Sequence, residues 1–595
     1  MRRKQSLLRI EVKRNNNRVL AVARPDQLCG TTLSSIVPSG AFDFLLWILL
    51  AALLIVALCT FKDYAISNDE GVQQRYGELI VEYYRSGFVA RDLFTFENLY
   101  LYGGLFDLVA IALAHVVPMD VYELRHILCA VMGIGGVAAA AVTARLIAGS
   151  RAGLAAAIAL TLCGVWYGSM YNHTKDIPFA AAMAGATLFL VRVSRRLPSP
   201  RIVDVVAFGC FSGAALGIRS LGLLSVAYLG LAIIICLPWR AGLRARLRFA
   251  GGSVLMTVPA VLLAYLIMIV AWPWAALSPL NPIRGLFAFS EFHYAIRTMF
   301  AGHIYEMAGV PRLYVVGYLL IRVPLIVLAG AGLGMASLLQ QSTERGEHRR
   351  GSEIALVSLT VIVPLMSQVA LHGPAFTGMR HFLFVLPPLA TLAGVGFNAL
   401  FDKLAERSVL MTLAALALVC ACVLREGSTL VRLHPYENLS YNSLVGGLPG
   451  AFRRYDMDYW FNSMREATRM LEAFVGDRTP VEAGQAPKVY SVAVCGERLP
   501  FDRTVSLPQL HWDFGSEWDE SEFFIAPTHM NCDRDLDGEV IAVVERLGVP
   551  IAYVKDRRAV VKLPVARAAP LTSGQEFDFR SHMSHLGELD ELFGY

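Results

Sequence analysis

Phe44 to Thr60 reads FLLWILLAALLIVALCT, seventeen residues without a charge, and runs of the same kind recur as far as Val423. A helix of roughly 20 apolar residues reaches across the ~30 Å hydrocarbon core of a bilayer. These runs are therefore read as membrane spans. The rest of the chain agrees: 595 residues with 55% hydrophobic content, 17% charged residues and a mean hydropathy of +0.50 carry more apolar surface than a soluble fold can bury. The fold class that follows is a polytopic α-helical membrane protein with a C-terminal soluble α/β domain.

Spans are predicted near 44–60, 127–144, 153–170, 177–191, 203–217, 221–238, 249–271, 314–340, 354–371, 382–398 and 408–424, about eleven in all. Lysine and arginine in short loops favour the cytoplasmic side. With the N-terminus inside, the cytoplasmic loops hold Arg145 and Arg151; Arg192, Arg195, Arg196 and Arg201; Arg240, Arg244, Arg246 and Arg248; Arg345, Arg349 and Arg350; and Lys403 and Arg407. The three short outer loops hold one cation each, Lys175, Arg219 and Arg380. Tyr100 to Pro118 is apolar enough to span, but counting it would turn the four-arginine loops outward. It is assigned to an interfacial or re-entrant element of the first outer loop.

Three regions result: a basic cytoplasmic segment over 1–43, a transmembrane domain over 44–424 with a large first outer loop at 61–124, and an outer-face α/β domain over 425–595. In the last of these, strand-like runs are predicted at Val489 to Val494, Phe523 to Ala526 and Ile551 to Val554, and a helix at Ser463 to Val475. The N-terminal cations Arg2, Arg3, Lys4, Arg9, Lys13, Arg14, Arg18 and Arg24 precede an apolar run with no convincing cleavage site, so that run is read as an uncleaved span. The net charge of +5 belongs to loops on one membrane face, and no basic stripe alternates with aromatics, which argues against a nucleic-acid partner. Eight of ten cysteines (29, 59, 129, 163, 210, 236, 420 and 422) lie in the N-terminal segment or in or beside apolar runs and serve packing. Cys495 and Cys532 fall in the polar C-terminal region, where either a disulfide or two separate thiols fits.

Candidate chemistry lies in the outer loops. Asp69 and Glu70 follow the first span in DYAISNDEGVQQRYGELI; a partly desolvated carboxylate at a membrane surface suits proton abstraction from a hydroxyl, and a second can orient the acceptor. A solvated helix cap is the structural alternative. Lys175 and Asp176 sit in the short second loop, MYNHTKDIPFA, where a helix cap and a snorkelling lysine are the alternatives. Arg219, Arg380 with His381, and Arg322, about two turns inside a predicted span, supply cations suited to a lipid phosphate; internal salt bridges are the alternative use. The triplets Asp456 to Asp458 and Asp533 to Asp535 are rejected as a metal and nucleotide-sugar site, since no glycine-rich phosphate loop accompanies them. The sequons at Asn172 and Asn438 matter only in a eukaryotic secretory host.

Four segments together resemble the GT-C superfamily, especially protein O-mannosyltransferases and the bacterial transferases that move aminoarabinose or other sugars from polyprenyl phosphate. They are the Asp69-Glu70 pair, HTKDIPFA with Asp176, RHFLFVLPPLA from Arg380 to Ala390, and HPYENLSYNSLVGGLPGAF from His434 followed by DYWFNSMREA from Asp458. The resemblance implies Asp69 as catalytic base, Asp176 as the second acid, and a polyprenyl- or dolichyl-phosphate sugar donor whose phosphate meets Arg322, Arg380 or Lys175. Lys175 departs from the apolar or small residue of the mannosyltransferases, which leaves the acceptor class open. The expected function is an inverting glycosyl transfer to a hydroxyl on a glycan, lipid or protein at the non-cytoplasmic face, in a bacterium the periplasmic side of the inner membrane. Asp69, Glu70 and Asp176 form the catalytic set; Lys175, Arg219, Arg322, Arg380 and His381 hold the phosphate. No cofactor is certain: a divalent metal stays open, without support from any His/Glu cluster of metal-ligand spacing in the outer loops. A secondary transporter is the rival reading, without the repeat symmetry that class shows; a non-catalytic assembly subunit is a third.

Overall fold

The computed structural model describes residues 9–14, 17–22, 39–291, 296–340, 345–478, 488–513 and 515–561. Arg2, Arg3, Lys4, Arg24 and Cys29 lie outside the described residues. The basic segment contains an antiparallel hairpin of β1 (Arg9–Arg14) and β2 (Asn17–Val22). The first span is α1 (Ser39–Thr60). The stretch 61–124 contributes α2 (Glu70–Arg85) and α3 (Leu105–Ala114). Then come α4 (Val121–Ala148), α5 (Ser150–Thr161), α6 (Gly164–Asn172), α7 (Asp176–Ser194), α8 (Ile202–Leu216), α9 (Leu223–Ile235) and α10 (Leu243–Ala271).

After α10 the chain forms α11 (Pro273–Leu277), α12 (Asn281–Glu291) and a hairpin of β3 (Arg297–Phe300) and β4 (His303–Glu306). The bundle then closes with α13 (Tyr314–Arg322), α14 (Leu325–Ala336), α15 (Arg345–Leu371), α16 (Leu386–Arg407) and α17 (Val409–Leu433). Seven helices are long and apolar enough to cross a membrane among the described residues, and two bent pairs raise the number to nine. The shorter apolar α8 and α9 occupy the two remaining predicted spans. At 10 residues, α3 extends only about 15 Å and cannot cross.

Two predicted spans are broken. The α5/α6 pair bends by 68° and the α13/α14 pair by 112°. Pro324 stops α13, since it has no N–H and disfavours helical backbone before it. The freed carbonyls are met from the C-terminal region: Asn442 donates through its backbone N–H to Ile321 O at 2.9 Å, and through Nδ2 to Leu320 O at 2.6 Å and Val323 O at 2.8 Å. Irregular backbone at membrane depth survives when protein supplies such partners. Arg322 thus sits at a break and not within a continuous span, which corrects its predicted setting. Close packing elsewhere relies on small residues: a Cβ on Gly396 would lie 2.0 Å from Gly330 O, and one on Gly334 would lie 2.1 Å from Leu392 O.

The bundle has two chemically distinct ends. At one, Arg145 pairs with Asp43 at 2.7 Å, Arg151 with Asp402 at 2.5 Å and Arg195 with Glu353 at 2.7 Å. At the other, His434 meets Asp63 at 3.1 Å and Arg503 meets Asp120 at 3.1 Å, so the first outer loop and the C-terminal domain share an end. That domain adds α18 (Gly447–Ala451), α19 (Met464–Arg478), β5 (Tyr490–Val494), α20 (Arg498–Asp502), β6 (Leu510–Trp512), β7 (Phe523–Pro527), β8 (Glu539–Arg546) and β9 (Val549–Asp556). The strand order is β6-β5-β7-β9-β8, parallel at β6-β5-β7 and antiparallel beyond. The three predicted strands are β5, β7 and β9. Neither β6, only three residues long, nor the partly open β8 stands out by composition. Cys495 and Cys532 form a disulfide, and the other cysteines within the described residues are free.

Candidate active site

Asp69 occupies the N-cap position of α2, yet its side chain makes no capping hydrogen bond. It is left to face Arg380, whose Nη2 lies 3.5 Å from Asp69 Oδ2. Arg380 Nε also lies 4.0 Å from Asp176 Oδ2, in the first turn of α7. Arg219, in the turn after α8, donates to Asp176 Oδ1. Three short connections and one helix start therefore converge on two carboxylates and two guanidinium groups. Lys175 completes the cluster with its ammonium 4.0 Å from the Tyr102 ring, a ring that also lies 5.6 Å from Arg219. His381 Nε2 accepts from Arg380 Nε at 3.1 Å.

Backbone contact brings the parts together. Gly103 N–H donates to Ile218 O at 3.2 Å and Leu105 N–H to Gly217 O at 3.0 Å, which pins the Tyr102 segment against the Arg219 turn. A Cβ on Gly103 would lie 2.1 Å from Gly217 O, so only glycine allows this approach. A buried polar network sets the spacing on the other side. Arg125, wholly buried in α4, donates to Asp107 at 2.7 Å, Gln74 at 3.2 Å and Thr174 at 3.2 Å, while Thr174 donates to Gln73 at 2.7 Å. The α2 helix that begins at Asp69 is thereby tied to the loop that holds Lys175 and Asp176.

The two acids differ in surroundings. Asp176 is 4% exposed and held by both arginines, whereas 42% of the Asp69 side chain remains open. Surrounding protein raises the Asp69 pKa, with Arg380 and Lys175 opposing; water at the open surface screens part of that penalty. Burial lowers Lys175 to about 8, against the pull of Asp107. Glu70 does not join the cluster: it is fully buried and accepts from Ser67 N–H at 2.8 Å, with His126 Nε2 at 3.2 Å. Arg322 lies next door, donating to Asn438 O and packing 4.4 Å from the Tyr441 ring. It lines a small cavity with Tyr318, Gly378, Arg380, Asp456 and Tyr459.

No family model matches the chain, and no curated protein matches it. Among solved structures, the chain is similar to ArnT from Cupriavidus metallidurans bound to undecaprenyl phosphate, at 15% identity over 85% of this chain and 97% of that one, with a TM-score of 0.46. It is also similar to the oligosaccharyltransferase AglB from Archaeoglobus fulgidus in complex with an inhibitory peptide and a dolichol-phosphate, at 11% identity over 80% of this chain and 69% of that one, with a TM-score of 0.45. At these scores the likeness is one of general helical architecture.

Asp456, Asp458 and Asp533 of the Asp-x-Asp triplets are occupied structurally. Asp456 accepts from Thr298 at 2.6 Å and Met299 N–H at 2.8 Å, and Asp458 from the N–H groups of Asn462 at 2.9 Å and Ser463 at 2.7 Å. Asp533 pairs with Arg453 at 2.7 Å. Cys495, Cys532 and Asp535 lie close enough to share a metal, but the two sulfurs are bonded to each other. Sequence reasoning missed Arg125, Gln73, Thr174 and the aromatic pair Tyr459 and Trp460. Arg125 alone left a readable signal, a cation four residues into a membrane helix that begins at Val121.

Proposed function

We propose that the chain is a glycosyltransferase that moves a sugar from a polyprenyl-phosphate donor to a hydroxyl acceptor by a single inverting displacement. The observation that carries this reading is the pairing of one open carboxylate, Asp69, with arginines that a second, buried carboxylate holds in place. Asp69 takes the acceptor's proton as the acceptor oxygen bonds to the anomeric carbon. The carbon–oxygen bond to phosphate breaks on the opposite face, and the phosphate leaves with the electron pair. Arg380, Arg219, Lys175 and Arg322 meet that charge in a site where donors are already oriented. His381 holds the Arg380 guanidinium, and Asp176 fixes Arg219 and Arg380. Glu70 acts on the fold of the loop, through Ser67 and His126, and not on the acceptor.

The sidedness belongs to the same proposal. A disulfide in the C-terminal domain fits an oxidising compartment, and the cationic loops gather at the opposite end, as the positive-inside preference requires of a cytoplasmic face. The site then opens on the periplasm of a bacterial inner membrane. The test is transfer of radiolabelled sugar from a panel of polyprenyl-phosphate sugars by wild-type protein and Asp69→Asn. Loss of a general base lowers the rate by roughly 10²- to 10⁴-fold, and the product carries the anomeric configuration opposite to the donor's. Full activity in a folded Asp69→Asn protein removes Asp69 as base; retained configuration removes the single displacement.

A further inference from the structure

His173 is 2% exposed, and neither of its ring nitrogens has a hydrogen-bond partner among the described residues. It precedes Lys175 and Asp176 in the loop between α6 and α7. Its ring meets Tyr459 and Trp460 edge-on, with centroids 5.8 Å and 5.4 Å away. Trp460 Nε1 is buried and unpartnered as well, while the Trp460 ring lies 4.4 Å from the Arg380 guanidinium. Buried polar atoms are nearly always paired in folded proteins. Here the two rings that carry three orphaned atoms pack against each other, and one of them packs on Arg380 of the proposed phosphate site.

The charges around His173 narrow the chemistry. Asp176, Arg380 and Arg322 all act on it electrostatically, and burial lowers its pKa to about 3, so the imidazole is neutral at physiological pH. A neutral imidazole offers one N–H donor and one nitrogen acceptor. With the indole N–H the group presents two donors and one acceptor. A free carboxylate or a bare phosphate dianion lacks the donor that the second ring nitrogen needs, whereas a glycosyl phosphate presents acceptor oxygens next to sugar hydroxyls. A ring kept for packing alone would be as well served by phenylalanine.

We infer that His173 and Trp460 bind the glycosyl-phosphate headgroup of the donor: the imidazole and indole N–H groups donate to phosphate oxygens, and the second imidazole nitrogen accepts from a sugar hydroxyl. The assignment rests on the transfer reading above. Both residues are binding residues, and neither exchanges a proton during the reaction.

The experiment measures binding of a short polyprenyl phosphate mannose, and of the same polyprenyl phosphate without sugar, to purified full-length protein in detergent. His173→Phe keeps the ring and removes both polar atoms; His173→Gln keeps one donor and one acceptor; Trp460→Phe removes one donor. His173→Phe is expected to weaken the glycosyl phosphate roughly 10- to 100-fold, and Trp460→Phe about 10-fold. His173→Gln restores most of the affinity, and the sugar-free lipid loses less than the glycosylated one. Thermal unfolding accompanies each variant, because removing orphaned polar atoms leaves stability equal or higher. If His173→Phe does not fold, His173→Gln and Trp460→Phe decide between the outcomes. Wild-type binding that these variants leave unchanged overturns the assignment alone; wild-type protein that binds neither lipid overturns the transfer reading together with it.

Discussion

Asp69 and Asp176 are both aspartates beside arginines, and only their surroundings separate their uses. Asp176 meets Arg219 and Arg380 from a buried position, with both of its oxygens turned to guanidinium groups. Asp69 has one longer contact, at 3.5 Å, and an open face. As the proposed base, Asp69 must be ionised, and its raised pKa predicts that activity falls on acidification before an ordinary aspartate would be protonated. Lys175, lowered to about 8, loses its positive charge as pH rises through that value. The expected kcat/KM profile is a bell whose alkaline limb lies near pH 8, with apparent values that belong to the coupled cluster. Lys175→Arg, which stays charged, should push that limb upward by on the order of one pH unit or more. An alkaline limb identical in wild type and Lys175→Arg shows that Lys175 does not meet the phosphate. Asp176 was legible in sequence because it begins a span at a loop too short to lead elsewhere, and Asp69 because it lies just past the end of the first span. Glu70 was not, because whether the neighbour of a surface acid points inward depends on His126, on a different helix.

The site's geometry depends on close backbone approach between its elements, and at one contact only glycine permits that approach. Gly103 lets the Tyr102 segment lie against the Arg219 turn, and that contact sets the separation of Tyr102, Lys175 and Arg219. Gly103→Val places side-chain atoms where Gly217 O now sits. The variant should lose about 1–3 kcal/mol of stability and most transfer activity, measured by thermal unfolding and the sugar-transfer assay. Gly135→Ala in α4, where an added Cβ meets nothing within 4 Å, is the matched control and should change neither. Equal behaviour of the two variants would dismiss the Gly103 contact as a determinant of the site. The breaks at Leu162–Cys163 and Val323–Pro324 belong to this scale as well. Hydropathy shows each as one long span, since a bend alters direction without altering apolarity.

Across the whole molecule, the C-terminal domain closes over the end of the bundle that carries the site. Arg503 reaches Asp120, Glu497 N–H donates to Asn68 at 3.4 Å beside Asp69, and Arg465 donates to Lys62 O. His434 bridges Glu437 at 2.8 Å and Asp63 at 3.1 Å, and those carboxylates raise its pKa. The disulfide ties β5 to the segment after β7 across 37 residues. Removing it with Cys495→Ser and Cys532→Ser together should cost about 2–4 kcal/mol. In sealed membranes of known orientation, a membrane-impermeant thiol reagent should label Cys495 and Cys532 only after reduction and only from the non-cytoplasmic side. Labelling without reductant, or from the cytoplasmic side, overturns the assigned sidedness.

Apolar runs, the loop positions of lysine and arginine, and the shortness of the outer connections were enough to place a helical membrane domain, a C-terminal α/β domain and the acids at loop starts. Each of these follows from local composition and from the thickness of a bilayer, which act on a segment whatever its neighbours are. The burial of Glu70, the clamp on Asp176, the network around Arg125 and the orphaned nitrogens of His173 arise where segments distant in the chain meet. Such contacts set whether a polar group is paired, shielded or open, and that environment, which no single segment encodes, leaves Asp69 open and encloses Asp176 between two arginines.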